Sequence, residues 1–139
     1  MKTPIEIVQR WQELLRTGNF ASINEVVDVV GYTENCLGLT GWTTGYDIAS
    51  KNYIKNMVEP WSDMKTTIED VISDSKAVAT RIHNEATHSG TFLGIPPTGK
   101  RISWDAILIV QVKDERVVGQ WAQSDLWGIY NQLLEKKNP

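Results

Sequence analysis

The chain has 139 residues, of which 41% are hydrophobic and 22% are charged, and its formal net charge is −3. This is the length of a single domain with an ordinary globular composition, which excludes a disordered tail, a collagen and a disulfide scaffold. The charge also argues against nucleic acid as a partner, because the densest basic cluster is only Lys136 and Lys137 at the C-terminus.

The chain begins with a predicted amphipathic helix. Thr3 can cap its N-terminus, Pro4 suits the first helical position, and Glu6 completes a capping box. Apolar residues then recur at helical spacing over 5–15. Gly18 is predicted to end the helix.

The rest of the first half predicts short elements. A second helix is expected over 20–27 and a strand over 28–36, where β-branched residues give way to polar ones. The glycine-rich stretch 38–45 is predicted to be a loop. A further helix is expected over 46–58. It should end there because Pro60 disfavours helix in the residue before it.

In the second half of the chain, the apolar residues recur with the two-residue period of strands, and the chain then ends in a predicted helix over 126–134. Helices followed by a run of strands indicate an α+β domain over residues 1–139. We expect a curved, mostly antiparallel sheet wrapped around the N-terminal helices, with an internal pocket between the sheet and the helices. Four strands are predicted, over 64–73, 76–89, 101–113 and 116–125.

Alternation along the strands predicts which side chains face this pocket. In the strand 76–89, unpaired charges belong outside, so Asn84 and His88 are expected to point inward and His83 outward. In the last strand, alternation puts Val117, Gly119, Trp121, Gln123 and Asp125 on one face. We expect that face to line the pocket as well.

Two familiar kinds of site are excluded. The stretch 94–100 has the letters of a phosphate-binding loop, but Arg101 follows it where Ser or Thr is needed, and a strand follows rather than a helix. His83 and His88 are five residues apart in one strand and so cannot share a metal. Cys36 is a single cysteine, best interpreted as a small buried hydrophobic residue. Neither a metal nor a cofactor is expected.

Acid–base chemistry remains, and Asp125 is its main candidate. It lies between Trp121 on the last strand and Trp127 on the closing helix. A carboxyl group in apolar surroundings becomes usable as a general acid or base near neutrality. Asp at the start of a helix is also a common N-cap, which would be a purely structural role. Asp105 is a weaker candidate.

Tryptophan is the unusual entry in the composition, because six is a large number for a domain of this size. Tryptophan is rarely fully buried, so the excess favours a roomy apolar interior or an apolar mating surface. We expect Trp42, Tyr53, Trp104 and Trp121 to form walls of the pocket rather than catalytic groups. With no membrane-length apolar run and no secretory segment, the chain is predicted to be cytoplasmic.

The stretches 86–100 and 121–129, with Gln132-Leu133, resemble the signature of the SnoaL-like polyketide cyclases. The resemblance implies the cone-shaped fold of nuclear transport factor 2 and ketosteroid isomerase, and a homodimer formed through the sheets. It implies that Asp125 is the acid–base group and that His88 lines the pocket. Ala86 and Gln120 depart from the glycine and histidine usual at these positions, which leaves fewer polar groups for a polyphenolic substrate.

We therefore expect a cofactor-independent enzyme that binds a hydrophobic or aromatic small molecule and closes a ring by an aldol-type step, or isomerises it. Asp125 would transfer the proton, while His88, Asn84 and Gln123 orient the carbonyl oxygen. One alternative is a hydroxylase or an epoxide-type hydrolase of the same fold. The other is a non-catalytic binding protein in which Asp125 only caps a helix.

Overall fold

The computed structural model describes residues 1–135, so Lys136 and Lys137 lie outside the described residues.

The first helix forms as predicted. Helix α1 spans Pro4–Thr17. The Thr3 hydroxyl accepts a hydrogen bond from the Glu6 N–H, and the Glu6 carboxylate accepts one from the Thr3 N–H, which together form the capping box.

The short elements that follow differ from the prediction. Residues Phe20–Glu25 form a 3-10 helix, and β1 spans only Thr33–Cys36. The first part of the expected strand is instead a turn, in which the Asp28 carboxylate accepts a hydrogen bond from the Gly31 N–H at 3.0 Å.

The predicted loop 38–45 is wrong in its second half. Strand β2 spans Gly41–Thr44 and pairs antiparallel with β1. The tryptophan and two threonines of β2 have high strand propensity, and pairing with β1 satisfies their backbone. Helix α2 spans Tyr46–Tyr53 and continues through the π-helical turn Ile54–Val58, so the helical segment ends where Pro60 predicts.

The second half confirms the α+β prediction. The strands lie in the order β2-β1-β6-β5-β4-β3 in one open sheet, and β1 and β6 are its only parallel neighbours among the described residues. Helix α3 closes the described chain over Leu126–Leu134. The four long strands are β3 at Trp61–Ser73, β4 at Ala77–His88, β5 at Arg101–Lys113 and β6 at Arg116–Ser124.

The helices pack on one face of the sheet, which we call the helix side. Trp11 and its neighbours on α1 lie in a buried cluster with Val78, Val110 and Val117 of the strands. A second cluster joins α3 to the other end of the same face, because Trp104 is buried with Ile129 of α3. Burial of these apolar surfaces is the main stabilisation of the fold.

The alternation predicted for β6 is wrong, because the strand contains a β-bulge. Gly119 pairs with Gln111, whereas the next pair along β5 joins Val112 to Val117. Val118 is therefore an extra residue, and the strand changes the side on which its odd-numbered residues lie. Val117 is buried on the helix side, while the odd-numbered residues after the bulge lie on the opposite, outer side.

Candidate functional site

A groove lies where β5 and β6 meet the start of α3. It encloses about 610 Å³ and opens to solvent. Asp125 and Gln123 line it together with the charged side chain of Arg81. Leu37 and Trp127 supply apolar walls. The groove combines a carboxylate, an amide and a guanidinium with apolar surface, as a small-molecule site requires.

Asp125 itself is exposed and caps α3. Its Oδ1 accepts a hydrogen bond from the Gly128 N–H at 2.9 Å, and its own N–H donates to the Asp105 carbonyl at 3.1 Å. A Cβ on Gly128 would collide with the Asp125 carboxylate as it is placed, so glycine leaves room for this carboxylate over the first turn. The helix N-terminus stabilises negative charge at this position. The apolar enclosure expected around Asp125 is absent.

His88 lies on the helix side, as predicted, and it is fully buried. Its Nδ1 accepts the Thr98 N–H at 3.2 Å, so the neutral ring carries its proton on Nε2. The ring packs against Trp61 with centroids 5.4 Å apart. Burial lowers the pKa of His88, which favours the neutral ring.

Asn84 and Trp104 also lie on the helix side and are buried. The Thr66 hydroxyl donates to Asn84 Oδ1 at 2.6 Å. Trp104 packs against Trp61 with ring centroids 4.7 Å apart, so it is a core residue and not an open pocket wall. Tyr53 lies at the end of α2 and is partly exposed.

Trp42 and Trp121 lie on the outer side of the sheet. Trp121 pairs with Ile109, which is exposed, and the ring of Trp42 packs edge-on against that of Trp121 at 4.9 Å. The structure therefore brings Asp125, Gln123 and Trp121 to the outer side and leaves His88 on the helix side. The predicted inward orientation of Trp121, Gln123 and Asp125 is wrong, because it assumed unbroken alternation through Val118.

Glu34, a carboxylate that is only 6% exposed, was not among the predicted site residues. It accepts a hydrogen bond from Tyr32 Oη at 2.7 Å and one from Cys36 Sγ at 3.2 Å. Burial and then Glu34 raise the pKa of the Cys36 thiol to about 12, and the same two causes raise the pKa of Tyr32. The spacing of Tyr32, Glu34 and Cys36 at alternate positions was the available signal, because it puts all three on one face of the strand.

A second polar cluster lies beside the groove on the outer side. His83 Nδ1 is 2.7 Å from Asp105 Oδ1, and its Nε2 is 3.8 Å from Glu85. The hydrogen bond to Asp105 is the main cause that raises the pKa of His83. Arg81 pairs with Asp70 at 2.8 Å on the same face. The cluster is exposed, so salt screens it.

We expect this histidine to make stability depend on pH. Because its pKa is raised, protonated His83 stabilises the fold fully below its ordinary value of 6.5, and the contribution disappears as pH rises through the folded-state pKa. The melting temperature of Asp105→Asn should therefore fall below that of the wild type at about pH 5.5 and approach it at about pH 8.5. An equal difference at both pH values would contradict this linkage.

Within 1–135, no three His, Cys, Asp or Glu side chains lie together as a metal site needs. No helix in that part of the chain has the length and apolar character to cross a membrane.

Comparison with known proteins identifies one family. The sequence model of the SnoaL-like polyketide cyclases matches residues 5–133. A search of curated proteins finds no matching relative.

Solved structures share the fold at low sequence identity. A proposed SnoaL-like polyketide cyclase from Jannaschia sp. CCS1 is 15% identical, with 99% of each chain covered and a TM-score of 0.78. AclR, a proposed hydroxylase from Streptomyces galilaeus, is 18% identical, with 98% and 84% covered and a TM-score of 0.75. An LEH-like epoxide hydrolase from M. tuberculosis is 14% identical, with 94% and 84% covered and a TM-score of 0.68. At these identities the likeness establishes the fold alone.

Proposed function

Because this chain belongs to the SnoaL-like polyketide cyclase family, which its sequence matches over residues 5–133, we propose that it is a cofactor-independent acid–base enzyme. Its substrate is a hydrophobic or aromatic small molecule with a carbonyl group. The reaction is an aldol-type ring closure or an isomerisation. Asp125 is the acid–base residue.

The position of Asp125 in the groove carries this proposal. One carboxylate oxygen is held by the Gly128 N–H at the start of α3, which fixes the direction of the group. The groove around it encloses about 610 Å³ and is open to solvent, so a small molecule can reach the carboxylate. A carboxylate fixed at the wall of such a space has the geometry of a general base.

In the proposed step, Asp125 removes a proton from the carbon next to a substrate carbonyl. The resulting enolate carbon attacks a second carbonyl of the same molecule, and the proton returns to the new alkoxide. Gln123 and Arg81 share the groove with Asp125, so they are the groups that orient the developing oxyanion. Holding the substrate folded contributes several kcal/mol through orientation alone, and proton transfer contributes about 10²–10⁴-fold.

Mass spectrometry under gentle conditions tests the ligand class. We expect the purified protein to carry, or to take up, a hydrophobic carbonyl compound. Its binding should change tryptophan fluorescence, because Trp127 lines the groove. Trp127→Phe should reduce that change, whereas Trp11→Phe, in the core under α1, should not. If aromatic and terpenoid carbonyl compounds leave the fluorescence unchanged, the groove does not bind this class.

We also propose that a second copy of the chain covers the part of the outer side that lies next to the groove and leaves the groove open. Three apolar side chains there are between 38% and 64% exposed. They lie on β2, β6 and β5, and the rings of Trp42 and Trp121 pack together across β1, so they form one patch. A two-fold axis through such a patch packs it against itself and removes it from water. The patch consists of Trp42, Ile109 and Trp121.

A charge in this patch should prevent the dimer. We expect the wild type to elute as a dimer at micromolar concentration, and Ile109→Asp to elute as a folded monomer, because a buried unpaired carboxylate is costly. Ile48→Asp is the matched control, since Ile48 is similarly exposed on α2. Size-exclusion chromatography with light scattering measures the mass. A dimer that persists in Ile109→Asp would place the interface elsewhere.

A further inference from the structure

Helix α3 has the proposed acid–base residue at its N-terminus, but the helix is too short to hold its own direction. It spans only Leu126–Leu134, and a helix of this length is not stable alone in water. Ile129 and Leu133 are buried against the sheet, but apolar contacts have no preferred direction. Directional hydrogen bonds to the sheet are therefore needed to fix how α3, and with it Asp125, is oriented.

The side chain of Gln132 makes such hydrogen bonds. Its Oε1 accepts the Ser103 N–H at 3.0 Å, and its Nε2 donates to the Ser103 carbonyl at 2.7 Å. Strand β6 leaves this part of β5 open, because its last pair joins Ser124 to Ala106. The Gln132 amide thus takes the place of a further strand and binds α3 to an interior strand of the sheet.

Gly128 connects Gln132 to Asp125. The same Gln132 Nε2 donates to the Gly128 carbonyl at 3.1 Å, and the Gly128 N–H donates to Asp125 Oδ1 at 2.9 Å. A continuous series of contacts therefore runs from the backbone of Ser103, through Gln132 and Gly128, to the carboxylate. Hydrogen bonds linked in this way strengthen one another, so the loss of one weakens the next.

Lys100 holds the last turn of α3, which contains Gln132. Its Nζ donates to the Gln132 and Leu133 carbonyls at 3.1 Å each, and also to the Glu135 carbonyl. The last carbonyls of a helix have no partner within it, and a cation is favourable at that end. The lysine of the stretch 94–100 therefore binds α3, and it keeps the backbone of Gln132 in place.

We propose that Gln132 is the positioning residue for Asp125. It fixes the first turn of α3 against β5, so the Asp125 carboxylate keeps one direction in the groove. Gln132 is not part of the groove wall and so acts only through Gly128. This inference rests on the proposed role of Asp125 as the acid–base residue.

Hydrogen exchange of single backbone amides tests the positioning without any ligand. We expect the Gly128 amide of Gln132→Met to exchange about tenfold faster than that of the wild type, because the hydrogen bond to Asp125 opens more often. The amide of Val110, a fully buried residue of β5, should exchange at the wild-type rate, which separates a local change from a loss of global stability. Asn131→Ala, at the exposed neighbour of Gln132 on α3, is the matched control and should change neither amide.

The aromatic ketone 1-tetralone tests the effect on chemistry. In deuterium oxide, a base removes a proton from the carbon next to the carbonyl, the electron pair forms an enolate, and a deuteron returns to that carbon. We expect Gln132→Met to lower the rate of deuterium uptake by about tenfold, because a misplaced base reacts slowly. The change in Trp127 fluorescence on binding the ketone should match the wild type, since Gln132 does not line the groove.

A Gly128 amide that exchanges at the wild-type rate in Gln132→Met would overturn the positioning role. Equal acceleration of the Gly128 and Val110 amides would also overturn it, because Gln132 would then support only global stability. If Gln132→Met does not fold, Gln132→Glu replaces it, since that side chain keeps an acceptor for the Ser103 N–H and loses the donor to the Gly128 carbonyl. A wild type that does not exchange 1-tetralone would count against the reaction proposed for Asp125, while the Gly128 amide would still decide the role of Gln132.

Discussion

Asp125→Asn is expected to lower turnover of the natural substrate by about 10²–10⁴-fold while the protein remains as stable as the wild type. The amide cannot accept the substrate proton. It can still accept the hydrogen bond that Gly128 N–H now donates to Asp125 Oδ1 at 2.9 Å. Asn and Asp are comparable N-caps, so the substitution separates catalysis from capping. Steady-state kinetics together with urea denaturation measures both effects.

Asp125→Ala serves as the comparison for this variant. It should lose turnover to a similar degree and also lose about 1 kcal/mol of stability, because the cap of α3 is removed. Full turnover in Asp125→Asn would contradict the proposal that Asp125 is the acid–base residue. An unchanged ligand affinity in both variants, with no turnover in the wild type, would favour a non-catalytic binding protein in which Asp125 is only a helix cap.

Trp104→Ala should cost about 3–5 kcal/mol of unfolding free energy, the loss typical of a large core aromatic residue. Trp104 is 3% exposed and packs against Trp61. The cavity left behind lies in the cluster that joins α3 to the sheet, so α3 should loosen with it. Denaturation with urea, followed by circular dichroism, measures the loss.

Trp127→Ala is the matched control for this experiment. Trp127 is 72% exposed, and removal of a surface side chain of this kind typically changes stability by about 0.5 kcal/mol or less. If Trp104→Ala costs no more than Trp127→Ala, then Trp104 borders an open space rather than the core. That result would restore the role of pocket wall that the sequence suggested for Trp104.

Much of the fold was predictable from short sequence patterns, such as helix caps and apolar runs bounded by turn residues. The capping box of α1 is a short-range pattern, and Thr3, Glu6 and Gly18 take the predicted positions. The long strand β5 matches its predicted limits, because charged and turn residues bound an apolar run. Strand β2 was missed because its four residues lie among glycines, and only pairing with β1 makes them a strand.

The site was predictable only where its residues lie close in sequence. Asp125 and Gln123 share the groove because they are two residues apart after the bulge. The grouping of Asp125 with His88 required the correct face for two separate strands, and one extra residue in β6 was enough to separate them. Glu34 was missed because alternation puts Tyr32, Glu34 and Cys36 on one face but does not show that this face is buried.

The bulge at Val118 divides β6 into two parts whose odd-numbered residues face opposite sides of the sheet. Val117 faces the core, whereas the odd-numbered residues from Gly119 to Asp125 lie on the outer side. A chain with the same C-terminal letters but without the extra residue would present its tryptophan and aspartate to the other surface of the sheet. The surface that presents this motif is therefore determined by a one-residue insertion seven positions before the aspartate, and not by the motif itself.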